Sequence, residues 1–537
     1  MFQVKTHAWT ITISKRGLFM NDEFYDDAEY ERAAQARRER RRKRRRQAMI
    51  RRTISLIVLA IVFIGAAVFA GSLILKKQNG ITSSPAQKPS SVLQTEKETA
   101  APAQTEAQPV QTEAQSEKQT VTASNEEDLL TEAQLLAAGY DYDGAIALLR
   151  SIPDYESDST VTAAIQEYET TKSSCVAVDV TTIPHIFYHS LVNDPSAAFN
   201  ASTLGQAQAD GMNAWMTTVD EFDKITQQLY DNGYVYVSLH DLVTETTDAD
   251  GTVHFTPNQS LMLPPGKKAI VLSVDDLSYY HSYEPASFPD KLVIDENGDV
   301  KCHYVKTDGS ENIGDFDVVP RLNTFLKEHP DGAYKGARGT IALTGYNGVF
   351  GYRTDTDYKT KENLLDDQRK WLDEHPDFNW DEDVAEATKI ADALKEEGWD
   401  FASHTWGHLS VTGKSVDALR TDNEKWVNTV QNIVGPTDAI IFAHGNDIGS
   451  WEGYTSDNEI YNYFKSVGYN FYCNVDSSQP YWVQITDQYV RQGRIDLDGY
   501  LLYQASTGQT SVLDNMITAS EIFDQSRPTP VVANGES

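Results

Sequence analysis

The 537-residue sequence predicts an α/β fold built on a parallel sheet, open or closed into a barrel. Two observations predict it. From residue 183 onward, short apolar runs of strand length alternate with amphipathic helical stretches, the pattern that parallel strands with helical crossovers produce. The polar clusters Asp275-Asp276 and His404-Thr405-Trp406-Gly407-His408 each come directly after such a run. Strand C-terminal ends are where folds of this class collect their functional side chains.

The chain begins with a basic tail. Residues 1–52 hold 15 Lys and Arg against 7 Asp and Glu, a surplus of eight positive charges, so the rest of the chain carries −41 of the −33 total. A body that acidic repels nucleic acid. Residues 53–75 form an uncharged run of 23 residues, and about 20 such residues in a helix span a bilayer core. Nine of the ten residues at 37–46 are Arg or Lys, which places the tail in the cytoplasm and everything after the span outside the cell. The expected location is thus the cell membrane, by a single pass. A cleaved signal peptide ending near Val68-Phe69-Ala70 is the competing reading, disfavoured by the long leader.

Residues 76–124 are rich in Gln, Thr, Glu, Ala, Ser and Pro, with Gln-Thr-Glu-Ala-Gln at both 104–108 and 111–115. They read as an extended linker. Residues 125–175 turn helical, with Leu129, Leu130, Ala133, Leu136 and Ala137 on one face and Ala145, Ile146, Leu148 and Leu149 continuing it. This predicts a tetratricopeptide-like helical hairpin, serving as a spacer or a protein contact.

The main domain is expected over 178–510, with 511–537 as a C-terminal extension. Its strand-like runs are 183–188, 234–239, 269–274, 339–343, 401–403, 439–442 and 470–472; helices are expected at 218–232, 383–397, 415–434 and 457–467. Between them, 278–335 reads as an irregular insertion containing a hairpin turn at 295–299. The three cysteines, Cys175, Cys302 and Cys473, have no pairing or CxxC spacing. They form neither a disulfide framework nor a thiolate site; buried apolar thiols fit their sparse use.

A carboxylate with two imidazoles is a common catalytic zinc ligand set, with one position left for water or substrate. An i, i+4 histidine pair shares a cation on a helical turn, at about 5–6 Å, but not along a strand, at about 13 Å. His404 and His408 follow a strand and can meet; His185 and His189 lie within or beside one and cannot. With one aspartate of the 275–276 pair as the third ligand, its neighbour is left as a general base. The competing reading of Asp275-Asp276 is a solvated loop or helix cap.

The order of segments resembles the polysaccharide deacetylases of carbohydrate esterase family 4. The resemblance rests on Pro184-His185-Ile186-Phe187-Tyr188-His189, Thr218-Val219-Asp220-Glu221-Phe222, Ser273-Val274-Asp275-Asp276 and Ser403-His404-Thr405-Trp406-Gly407-His408. It spans about 183–500 and implies a distorted (β/α) barrel of about seven parallel strands. It also implies a divalent metal, zinc foremost, on Asp276, His404 and His408, with Asp275 as base.

Three departures are plain. The first motif ends in Leu277 instead of glycine. Phe442-Ala443-His444-Gly445-Asn446-Asp447 stands where an Arg-x-Pro-Tyr element supplies oxyanion contacts, so His444, Gly445 and Asn446 are the candidates there. No histidine follows His444, so the late Leu-x-His general acid is absent. The chain is similar instead to poly-N-acetylglucosamine deacetylase-like members with an N-terminal Tyr-His element, which makes His189 the acid, with His444 the alternative. Asp476 is the leading candidate to orient the catalytic groups, with Arg491 and Arg494 beside it in sequence; surface solubility is the competing reading of both arginines. Tyr352-Arg353 and Trp406 line a sugar groove or simply fill core.

The resemblance implies hydrolysis of N-acetyl groups on an extracellular amino-sugar polymer such as peptidoglycan. The rivals are a degenerate fold that binds glycan without turnover, an anchored scaffold, and a hydrolase acting on O-acetyl esters.

Overall fold

The computed structural model describes residues 123–249 and 251–533. The basic tail, the apolar span at 53–75 and the linker lie outside the described residues, apart from the linker's last two positions. Among the described residues, no helix is long and apolar enough to cross a membrane.

Seven parallel strands close into a barrel: β1 (His185–Tyr188), β2 (Lys268–Asp275), β3 (Thr340–Leu343), β4 (Asp400–Ser403), β5 (Ala439–Ile441), β6 (Phe471–Val475) and β7 (Val490–Asp496). Each pairs with the next in chain order. The ring shuts where Ile495 and Asp496 of β7 meet Ile186 and Phe187 of β1. The expected barrel is present, but one member differs. The run at 234–239 forms a short strand, Tyr234–Tyr236, that pairs with the start of β2 outside the ring, and β7, absent from the sequence reading, takes its place.

Side-chain alternation along the strands separates two layers. Ile186, Ile270, Leu272, Val274, Ile341 and Leu343 face the surrounding helices in one buried cluster. Val271, Ala342, Ala402, Ala439, Ile441, Phe471, Cys473 and Val490 belong to a second cluster that fills the lower barrel. Three inward positions are alanine, which leaves room on the axis for long polar side chains.

Among the described residues up to 175 the α-helices are three, not two: α1 (Ala123–Ala138), α2 (Tyr142–Arg150) and α3 (Ser159–Ser174). Asp158 starts α3 by accepting the N–H groups of Thr160 and Val161, a side-chain cap for donors that have no helical partner. Ala133, Leu149, Val161 and Ile165 join the same cluster as the barrel floor, so this unit buries its apolar face against the barrel. Helices α4 (Gln206–Trp215) and α5 (Val219–Asp231) follow β1. Thr218 and Glu221 form a reciprocal capping box on α5, whose Phe222, Ile225 and Leu229 are buried. Each such side chain contributes about 1.5–3 kcal/mol of burial.

The insertion is more ordered than its sequence implies. Lys291–Ile294, Val300–Val305 and Glu311–Gly314 form an antiparallel sheet, the turn closing where Asp295 N–H bonds the Asp299 carbonyl. Helix α6 (Val318–Glu328) then buries Val318, Val319, Leu322 and Leu326. Helices α7 (Trp380–Glu396) and α8 (Val416–Trp426) flank β4. The C-terminal segment is not an appendage: Leu513, Met516, Ile522 and Phe523 lie in the barrel's outer core. All three cysteines are free and buried.

Candidate metal centre

The site sits in the barrel mouth, at the C-terminal ends of β1, β2, β4 and β7. Along β2, alternation points Ser273 and Asp275 inward and would turn residue 276 outward. Asp276 instead adopts φ 59°, a left-handed conformation costly to a non-glycine residue, so both carboxylates reach the mouth. The same strain recurs at Thr405 (φ 60°) and His408 (φ 51°). Asp422 of α8 over-determines that loop by accepting the N–H groups of Trp406 at 2.6 Å and Gly407 at 2.9 Å. Burial pushes the Asp422 carboxyl up to about 6 against the pull of those N–H groups.

Asp276, His404 and His408 are all buried, with ligand atoms within 4.8 Å of one another. His408 Nε2 lies 3.5 Å from Asp276 Oδ2, close to the roughly 3.4 Å edge of a tetrahedron with 2.0–2.2 Å bonds. His404 Nδ1–H donates to the Ile441 carbonyl at 2.8 Å, which leaves the Nε2 lone pair facing the site. Burial, then the His444, His404 and His189 imidazoles, hold His408 well below its ordinary range, in the neutral form a metal requires. Tyr280, from the insertion, donates its hydroxyl to Asp276 Oδ1 at 2.7 Å. The donor types and their outer hydrogen bonds fit a divalent metal.

Asp275 is held differently. The Arg494 guanidinium grips it bidentately, at 2.8 and 2.9 Å. Burial pushes Asp275 up, but Arg494, His404 and His189 outweigh burial and keep the carboxyl below its usual range. It is therefore ionised, 3.8 Å from His404 Nε2. A cavity of about 50 Å³ opens above these groups. His189 and His444 line it, with Phe187, Trp215, Met216, Tyr283 and Val475 as its apolar walls.

Of the expected site residues, Asp275, Asp276, His189, His404, His408 and His444 converge here. Three expectations are corrected. Asp476 accepts from the Ser478 N–H and hydroxyl in a local turn and orients nothing in the mouth. Arg491 is buried but faces outward, binding Asp447 and the carbonyls of Ser450 and Glu452. The orienting group is Arg494, on the inward parity of the same strand. Gly445 donates its N–H to the Phe442 carbonyl, so it offers space rather than an oxyanion contact: a Cβ there would sit 2.5 Å from Val475. Asn446 turns its side chain to Ser410. His444 donates to the His408 carbonyl at 3.1 Å and packs on its ring.

The fold and the site define a seven-stranded (β/α) barrel with a buried Asp-His-His group and an arginine-held carboxylate in its mouth. No family model and no curated protein matches the chain. Among solved structures, the chain is similar to the Streptococcus pyogenes deacetylase PplD in complex with acetate. The two are 16% identical over 60% of this chain and 96% of that one, with a TM-score of 0.30. At that score the likeness carries no weight, and the functional reading rests on the site.

Proposed function

We propose that the protein is a metal-dependent hydrolase that removes N-acetyl groups from an extracellular amino-sugar polymer, peptidoglycan or another N-acetylglucosamine-containing glycan. One observation carries the reading: a buried Asp-His-His ligand set and a separate, ionised, arginine-clamped aspartate share one cavity. A metal on Asp276, His404 and His408 would supply Lewis-acid polarisation of a carbonyl and acidify bound water. Asp275, already deprotonated, accepts the proton of the attacking water. Its Oδ2 retains a lone pair beyond the bond to Arg494.

His189, across the mouth, protonates the departing amine, a task suited to an imidazole. The apolar walls at Trp215, Met216 and Tyr283 receive the acetyl methyl and exclude water. The apolar segment at 53–75 anchors the enzyme in the cell membrane, with the linker supplying reach to a wall glycan.

The test is acetate release from N-acetylglucosamine oligomers by the full chain in detergent. A chelator should abolish release and added zinc restore it. Release that survives metal stripping would overturn the reading, as would a fully metallated protein that binds the oligomers without turnover. Turnover of O-acetyl esters alone would replace the amide with an ester.

A further inference from the structure

Below the Arg494–Asp275 pair, the barrel axis holds a column of polar groups that the proposed chemistry does not use. Arg494 Nη1 donates to Ser273 Oγ at 3.1 Å. Ser273 Oγ lies 2.9 Å from His185 Nε2, and His185 Nδ1 lies 3.0 Å from Gln492 Oε1. Gln492 Nε2 ends the column by donating to the Ile183 carbonyl at 3.0 Å. His185, Ser273, Gln492 and Arg494 are each 0% exposed.

The two ends fix the direction of every hydrogen bond between them. Arg494 has only donors, so Ser273 Oγ accepts from it and the serine O–H is left to donate. The Ile183 carbonyl only accepts, so the Gln492 amide must turn its NH₂ there and its Oε1 toward His185. His185 therefore carries its proton on Nδ1 and presents a lone pair to Ser273. Burial, then the charge of Arg494, hold this imidazole well below its ordinary range, consistent with a neutral ring. Any other tautomer leaves two acceptors or two donors face to face in a sealed interior, at about 1–3 kcal/mol for each unsatisfied group.

The geometry points to His185, through Ser273, as the positioning residue that sets the plane of the Arg494 guanidinium, and thereby aims Asp275. Phe187 stacks on that guanidinium, 3.9 Å from its ring centroid, and fixes its face. It leaves in-plane rotation to the hydrogen bonds: two to Asp275 and one to Ser273. A guanidinium free to pivot would carry the carboxylate with it. This inference rests on the deacetylase reading for its kinetic consequence but not for its structural one.

Both are measured. Solid-state NMR of ring-¹⁵N-histidine protein, with His185 assigned by its loss in His185→Phe, should find a neutral ring protonated at Nδ1 across neutral pH. An Nε2–H tautomer or an imidazolium overturns the relay whether or not the protein turns over any substrate. In the acetate-release assay, His185→Phe and Ser273→Ala should each lower kcat by roughly 10- to 100-fold at unchanged zinc content. KM should barely move. The double variant should be no slower than the slower single, because both break one relay. Independent, multiplicative losses would overturn it, and a wild type with the expected tautomer but no turnover would fault the deacetylase reading alone.

Discussion

Arg494→Met tests whether the ionised state of Asp275 depends on one cation. The substitution keeps the length and apolar stem of the side chain and deletes its charge. In the wild type the folded-state value of Asp275 is depressed below the ordinary 3.8. The stability this contributes is fully present above 3.8 and is lost only as pH falls through the lower folded value. In the variant the cation is gone and burial dominates, so the folded value rises above 3.8.

The variant therefore loses stability as pH climbs from acid to neutral, and the gap between the two proteins widens in that direction. Leaving one partner of a buried pair uncompensated costs about 3–5 kcal/mol. At roughly 2 °C per kcal/mol for a large domain, Tm should fall by about 6–10 °C at pH 7.5 and by much less near pH 4. Acetate release at neutral pH should drop by about 10²-fold or more, since a protonated carboxyl accepts no proton. Zinc content should hold, because Asp276, His404 and His408 are untouched. A variant with wild-type Tm and turnover at neutral pH would refute the account of the Arg494–Asp275 pair.

Tyr280→Phe removes only the hydroxyl that bonds Asp276; zinc affinity by competition titration should weaken roughly 10- to 100-fold, and an unchanged affinity would mean the bond does not orient the ligand. His189→Gln should lower kcat by about 10²–10⁴-fold and His444→Gln by far less; the opposite ranking would hand the acid role to His444. Arg527→Met strands the fully buried Glu221, its bidentate partner, and should cost about 3–5 kcal/mol in thermal unfolding. Arg527 also donates to the Asn213 and Met216 carbonyls, so the cavity wall should slacken and KM rise together with the loss of stability.

Six of the seven barrel strands were legible as apolar runs, because their inward and outward faces both meet apolar surroundings. β7 was not. Its inward residues Gln492, Arg494 and Asp496 are polar, and hydrophobic patterning reads such a strand as a surface loop. The ligand set was legible for a related reason: a strand that ends in paired acids, and another that ends in an HxxxH turn, put chemistry where the fold places it. The turn that removes Asp476 from the site was also legible in hindsight, since Asp-x-Ser is a common side-chain-capped turn.

What stayed hidden is the support. Asp422 reaches back 16 residues to the histidine loop, Tyr280 arrives on an insertion that carries no motif, and Arg527 holds a wall more than 300 residues away. Strand parity would have separated Arg494 from Arg491, but only once β7 was recognised as a strand. The groups that do chemistry are thus announced by their spacing, whereas the groups that aim them are defined by partners distant in the chain. It follows that substitutions at Arg494, Asp422 and His185 should impair the site, although none of the three is a ligand.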